Sequence, residues 1–520
     1  MAQHSSKIYE FFGFTPGETP PISRIFNGAN GNANPPEDIN PQRPDTPTTA
    51  GLTDGHAGIQ NGHPTRANGT PKHPRLRTLP PDHRDLPPPL RSRFRALIQD
   101  FGPLWFTLPL STATLSLHLR LLPSPFHFPS APTLSLILIT LTLVLFSLFT
   151  LLFLTRLAWF RRAAYDEISS AAGEDGLVLA APSTSAGDAP PLMYGASGAG
   201  FLFLPCWPAT WLLIVAYAVL DAAEAQVGRR QTAFVRFAVV GWWVGAAWMV
   251  GVLFCVLGWL LSSPRAGRRT PGGRFARPVA LVVVTAGLAT VGWVGGLLGL
   301  ELGGGEAVGV GVLGPVVVFS FCAVGATAVM VVMVFAVLTH ELVLVTGWPP
   351  PEQTSNMFFL VAPLGMGSVA LLYLGAAVVK SVQIVGEGDR GEVPTAGAAE
   401  SVDVVCVLLG LFLVGMAAFW LALSFMTVVF RLSRRELQWN PTLNGVVFPV
   451  ASLGIAMAQF GDVFQSRFFG IVSCVLLGLA SVLFIVHLLL TLVHIFKGEL
   501  LVVREDRRLT ARLNQTVKLS

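Results

Sequence analysis

Residues 356–379, NMFFLVAPLGMGSVALLYLGAAVV, run on without a single charged side chain. A helix needs about 20 apolar residues to cross the hydrocarbon core of a bilayer, which is about 30 Å thick. The stretch is long enough to span a membrane, and Pro363 lies inside it. We therefore predict a transmembrane helix that a proline interrupts.

Comparable stretches recur along the chain after a polar N-terminal segment. There are ten in all, at 103–122, 133–155, 199–220, 233–261, 278–300, 312–339, 356–379, 402–430, 443–461 and 468–496. Of the 520 residues, 52% are hydrophobic and 12% charged, whereas about a quarter of a soluble domain is charged. The sequence predicts an all-α polytopic membrane protein, with one ten-helix domain at 97–497 between tails at 1–96 and 498–520.

Prolines separate the ten predicted helices into two kinds, which alternate as five pairs. The odd-numbered helices contain Pro109, Pro205 with Pro208, Pro363 and Pro449, while the fifth has only glycines after Pro278. A proline removes a backbone hydrogen bond, and in lipid the freed carbonyl must find a protein or water partner. We expect kinked odd helices inside, beside a water-filled pathway, and even helices outside, facing lipid. The alternative is that these prolines are accommodated by packing without any pore.

The basic residues predict how the chain is oriented. Arginines and lysines precede the first helix and follow the second, fourth, eighth and tenth, so both termini are expected to be cytoplasmic. Arg229 and Arg230, after the third helix, run against this rule. The net charge of +5 is thus explained by membrane topology, without a nucleic-acid partner. We expect the protein in the plasma membrane.

Neither the tails nor the cysteines point to a catalytic, metal or disulfide site. Residues 1–96 are rich in Pro, Gly, Asn and Thr, which predicts a disordered tail. Its four Thr-Pro pairs, beginning at Thr15, Thr19, Thr46 and Thr70, are either targets of proline-directed kinases or simply frequent in such tails. All five cysteines fall inside predicted helices, so neither a disulfide framework nor a metal site is expected. The helices lack paired carboxylates and a metal-spaced His cluster, so we expect neither a cofactor nor an enzyme.

Several motifs resemble one known family, the tellurite-resistance/dicarboxylate transporters, which include fungal malic acid permeases, fungal sulfite efflux pumps and plant slow anion channels. The resemblance covers about 100–500 and rests on Phe101-Gly102-Pro103-Leu104-Trp105-Phe106 with Ser111-Thr112-Ala113-Thr114, Phe203-Leu204-Pro205, Trp348-Pro349-Pro350, Met357-Phe358-Phe359-Leu360-Val361-Ala362-Pro363-Leu364-Gly365 and Val447-Phe448-Pro449. It implies five helical hairpins around a central pore, often as a homotrimer, that carries small anions. It also implies a phenylalanine that closes the pore, which maps onto Phe448.

The resemblance and the helix pattern together suggest site residues. Hydroxyls on odd helices could donate to an anion, although Ser and Thr equally bond to their own helix; the candidates are Ser111, Thr112, Thr114, Thr210, Ser368 and Ser452. Pro205, Pro363 and Pro449 are expected to line the pore. His487, inside the tenth helix, is a candidate for proton coupling, the alternative being a neutral histidine bonded to a backbone carbonyl.

The motifs leave the substrate open. The Phe-Leu-Pro and Met-Phe-Phe-Leu-Val-Ala-Pro segments look closer to malic acid permeases, while Pro363-Leu364-Gly365-Met366-Gly367 leans towards sulfite pumps. We predict malate or another C4-dicarboxylate as the substrate, with sulfite efflux as the alternative. A membrane receptor or scaffold that transports nothing is a further alternative.

Overall fold

The computed structural model describes residues 98–99, 101–161, 202–224, 229–262, 271–302, 310–345, 347–349, 351, 354–386, 396–436 and 441–496. Within these ranges every regular element is helical. Ten long helices follow one another: α1 (Thr107–Arg120), α2 (Ala131–Trp159), α3 (Cys206–Glu224), α4 (Arg229–Ser262), α5 (Pro271–Leu302), α6 (Val310–His340), α7 (Val361–Gly386), α8 (Ala396–Ser433), α9 (Val447–Val463) and α10 (Arg467–Phe496). The predicted tails at 1–96 and 498–520, with the Thr-Pro pairs, lie outside the described residues.

The five odd helices close into a ring. Each packs against the next odd helix, from α1 through α3, α5, α7 and α9 back to α1. Each even helix packs on the outside, against its preceding odd helix and the odd helix that follows in the ring. The prediction of five hairpins, with the odd helices inside and the even helices outside, is confirmed.

The odd and even helices also differ in how much of their surface is buried within the protein. Between 72% and 100% of the apolar segment is buried within the protein in α3, α5, α7 and α9, against 28% to 39% in the five even helices. The outward faces of the even helices carry large apolar side chains such as Leu151, Phe254 and Phe412. Such faces suit contact with lipid. In the part of the chain that the structure describes, nine helices are long and apolar enough to span a membrane.

The first helix is the exception among the ten. α1 has 14 residues, which correspond to about 21 Å and fall short of the hydrocarbon core. The 3₁₀ helix Pro103–Phe106 directly precedes α1 and lengthens it. The first predicted span, 103–122, is thus present as two helical pieces.

Four of the prolines of the odd spans lie close to the start of a regular α-helix. In α1, α3, α7 and α9 a proline occupies the third residue of a helix that begins anew; these prolines are Pro109, Pro208, Pro363 and Pro449. A short helical turn or 3₁₀ segment precedes each of the four starts. The N–H groups of a first helical turn have no acceptor within their helix, so a proline there removes no intrahelical bond. The junction residues Phe106, Leu360 and Val446 keep right-handed helical backbone angles, so at these prolines the hydrogen-bond pattern is interrupted while the chain stays helical. α5 runs continuously through Pro278.

A close approach of two backbones joins α7 to α9. A Cβ atom added to Gly365 would lie 2.8 Å from the Ser452 Oγ and 2.9 Å from the backbone nitrogen of Leu453. Because one of these neighbours is backbone, it cannot move aside without shifting α9. Gly365 therefore sets the distance between two helices of the inner ring.

We expect Gly365→Ala to destabilise the protein by about 1–3 kcal/mol, the usual cost of overpacking a well-packed interior. Gly367→Ala is the matched control on the same helix, because its added Cβ would lie 3.4 Å from one Leu413 methyl group and alanine favours helix over glycine. The thermal unfolding midpoints of the two purified variants in detergent measure the difference. Equal midpoints would show that the α7–α9 contact does not depend on Gly365.

Candidate functional site

A cavity lies on the axis of the inner ring. It is lined by residues from each of the five odd spans: Leu110, Pro205, Cys206, Ala209, Val283, Ala286, Gly287, Phe359, Ala362 and Phe448. Its volume is about 10 Å³, measured as the space open to the centre of a water-sized sphere, which is about enough for one water molecule. We call it the central cavity.

Two phenylalanines contribute to the walls of the central cavity. Phe448 is the second residue of α9, and Phe359 ends the helical turn Asn356–Phe359 just before α7. Both side chains are 4% exposed. The Phe359 ring also packs on that of Phe203, with the ring centroids 5.5 Å apart. The structure thus adds Phe359 to the candidate set.

The sequence carries a partial signal for Phe359. Phe359 precedes Pro363 by four residues, within the segment 357–365 that resembles the transporter family. The same segment also holds Phe358, which packs on Phe425 instead, at 5.3 Å between ring centroids. Only the packing of α7 into the ring distinguishes the two neighbouring phenylalanines.

The predicted hydroxyl groups do not line the central cavity. Each donates to a backbone carbonyl: Ser111 to Asn444 at 2.7 Å, Thr112 to Leu108 at 2.8 Å, Thr114 to Leu110 at 2.8 Å, Thr210 to Cys206 at 2.7 Å, Ser368 to Gly410 at 2.9 Å and Ser452 to Pro449 at 2.7 Å. Four of the six bonds stay within the residue's own helix over one turn, the pattern expected of Ser and Thr in helices. Their protons are already engaged in this state.

Of the other predicted residues, Pro205 and Phe448 line the central cavity. Pro363 and Pro449 do not, but each follows a lining residue, Ala362 or Phe448, and fixes the start of its helix. His487 lies on the peripheral helix α10 with 9% of its surface exposed. Its Nδ1 has no hydrogen-bond partner among the residues that the structure describes. The structure therefore brings Phe448 and Pro205 together and leaves His487 apart.

The central cavity has no fixed charge but is surrounded by helix N-termini. From each of α1, α3, α7 and α9, one or two residues within the first four positions line the cavity, such as Cys206 and Ala362, whereas α5 contributes mid-helix residues. A helix N-terminus carries a partial positive charge from its backbone N–H groups. Four such ends around an apolar space make its surroundings less unfavourable to negative than to positive charge.

A family profile matches most of the chain. The profile of the SLAC1 family, described as a voltage-dependent anion channel, matches residues 100–492. That range includes α1 to α9 completely and nearly all of α10. No curated protein matches the sequence.

Proposed function

The chain belongs to the SLAC1 family of voltage-dependent anion channels, and we propose that anions cross the membrane along the axis of its inner ring, past Phe359 and Phe448. The family membership makes it an integral membrane protein of a channel or transporter family for anions.

The observation that carries the proposal is the central cavity, which residues of all five inner spans line, Phe359 and Phe448 among them. An anion without partners in hydrocarbon would cost tens of kcal/mol, so the path must hold water and helix N-termini. Apolar constrictions can close a pore by excluding water. Phe359 and Phe448 form such a constriction, and rotation of their rings would admit water and an anion.

Malate, or a related C4-dicarboxylate, is the substrate that we propose. The support is the likeness of the Phe203-Leu204-Pro205 segment and of residues 357–363 to malic acid permeases. Each charge that crosses a membrane gains or costs about 2.3 kcal/mol per 100 mV. We place the protein in the plasma membrane, with both chain termini cytoplasmic. Because that membrane is negative inside, a dianion would leave the cell passively. Uptake would require coupling to protons, for which His487 is the candidate group.

Flux measured in liposomes tests the substrate. We expect purified protein to carry radiolabelled malate down its gradient, faster under a potential that is negative inside the malate-loaded liposome, with protein-free liposomes as the control. Sulfite transport without malate transport would instead favour the sulfite efflux pump. If neither anion moves, and chloride and nitrate do not move either, the transport proposal is wrong and a receptor or scaffold role gains support.

A further inference from the structure

One short segment contacts the ring of Phe359 and leads into the helix that carries Phe448. The 3₁₀ helix Pro441–Val446, which we call the Pro441–Val446 turn, leads directly into α9 and ends two residues before Phe448. Polar contacts hold the turn from two sides of the ring. The Ser111 Oγ on α1 donates to the Asn444 carbonyl oxygen at 2.7 Å, and the hydroxyls of Ser355 and Thr442 lie 2.8 Å apart.

The same turn touches the second phenylalanine. A Cβ atom added to Gly445 would lie 2.6 Å from the Cζ atom of the Phe359 ring and 2.7 Å from its Cε1 atom. The ring thus rests directly on the glycine backbone. Because the turn supports Phe359 and continues covalently into Phe448, any displacement of the turn moves both phenylalanines.

A third contact links the turn to a peripheral helix. The Asn444 Nδ2 donates to the Thr491 Oγ1 of α10 at 3.2 Å, and the Thr491 hydroxyl donates to the His487 carbonyl oxygen at 2.7 Å. Asn444 is 4% exposed and Thr491 is 2% exposed. A buried amide is costly unless its hydrogen bonds are made. The bond to Thr491 therefore constrains where the turn can lie.

We propose that Asn444 is the positioning residue that holds Phe359 and Phe448 in the central cavity, and that α10 acts on the closed path through Thr491. This inference rests on the proposed function, because it takes the two phenylalanines as the closure. The opposite face of α10 carries exposed apolar residues, among them Val482 and Leu489. A shift of this lipid-facing helix is thereby transmitted to the path without any residue of α10 lining it.

The test removes the link while keeping the size of the side chain. Thr491→Val deletes the acceptor for Asn444, and we expect anion flux to rise about 2- to 10-fold, the change in population that the loss of one ordinary hydrogen bond brings. Thr427→Val is the matched control, because Thr427 is buried on the even helix α8 and donates to the Leu423 carbonyl of its own helix. Thr491→Ser keeps the hydroxyl and should restore the original flux.

A natural cysteine reports the state of the cavity directly. The Cys206 thiol lines it, so in a variant with Cys255, Cys322, Cys406 and Cys474 replaced by alanine, a water-soluble thiol reagent measures access. We expect Thr491→Val to speed the labelling of Cys206, and Thr427→Val to leave it unchanged. Ser111→Ala, which releases the turn from the α1 side, should act in the same direction.

Combined variants distinguish the role of the Pro441–Val446 turn from the closure of the path by Phe359 and Phe448. Asn444→Leu together with Thr491→Val should raise flux no further than Asn444→Leu alone, since both remove the same bond. If Phe448→Ala raises flux while Thr491→Val and Ser111→Ala behave as Thr427→Val does, the role of the turn is overturned and the proposed path stands. If Phe448→Ala itself changes nothing, the closure by phenylalanine is wrong, and the inference falls with it.

Discussion

Phe448→Ala is expected to increase anion flux about 10- to 100-fold. Phe448 lines the central cavity with 4% of its surface exposed, so an opening motion must withdraw its ring from an apolar site. Full burial of a Phe side chain is worth about 1.5–3 kcal/mol, and each 1.36 kcal/mol taken off a barrier is worth a factor of ten in rate. Without the ring, that part of the barrier disappears.

Initial rates of anion efflux from liposomes, scaled to the amount of reconstituted protein, measure this effect. Phe460→Ala is the control on the same helix. Its ring is fully buried and stacks on Phe464 at 5.7 Å between centroids, but it does not line the central cavity. A similar rise in both variants would indicate general loosening of α9, and no rise in either would rule out Phe448 as the closing group.

A phenyl ring introduced on the opposite wall of the central cavity should close the anion path again in the Phe448→Ala variant. Ala209, on α3, also lines the central cavity and is 3% exposed. In the Phe448→Ala background, Ala209→Phe places a phenyl group in the vacated space, and we expect flux to fall about 10-fold or more, towards the original rate. In the original protein the cavity of about 10 Å³ has no room for a second ring, so there the substitution should destabilise by about 1–3 kcal/mol.

The same flux assay, with thermal unfolding as a second readout, distinguishes closure from damage. Ala247→Phe in the Phe448→Ala background is the control, because Ala247 is exposed on the outer helix α4. It should leave the raised flux unchanged. If Ala209→Phe leaves the flux high although the protein is folded, the two residues do not share the anion path.

Hydropathy and proline positions predict most of the architecture. Spans of about 20 apolar residues can hardly be anything but transmembrane helices, and prolines belong where backbone groups have partners other than lipid. These two constraints give ten helices and place the odd ones inside. The exact start of each regular α-helix is predicted less well. A proline excludes one helical hydrogen bond, but the sequence does not say at which residue the α-helix starts, and four α-helices start two residues before a proline.

Side-chain directions are beyond the reach of the sequence. Ser111 is a pore candidate by its position, yet its hydroxyl bonds to the carbonyl of Asn444, 333 residues further on. Asn444 itself has no distinguishing pattern around it, because its partners lie on α1 and α10 and become neighbours only when the ring closes. Phe359 and Phe358 are adjacent and chemically identical, so their separate roles depend on the packing of α7.

The sequence by itself determined the membrane class, the number and order of the helices, the assignment of odd helices to the interior and, through its family motifs, the candidate role of Phe448. Only the tertiary structure decided which side chains meet on the axis, that hydroxyls turn to backbone carbonyls, and that one turn contacts both phenylalanines. The physical reason is that a uniformly apolar helix has no amphipathic pattern to mark one face. Its orientation is set by close packing against its neighbours, which the linear order of residues does not record.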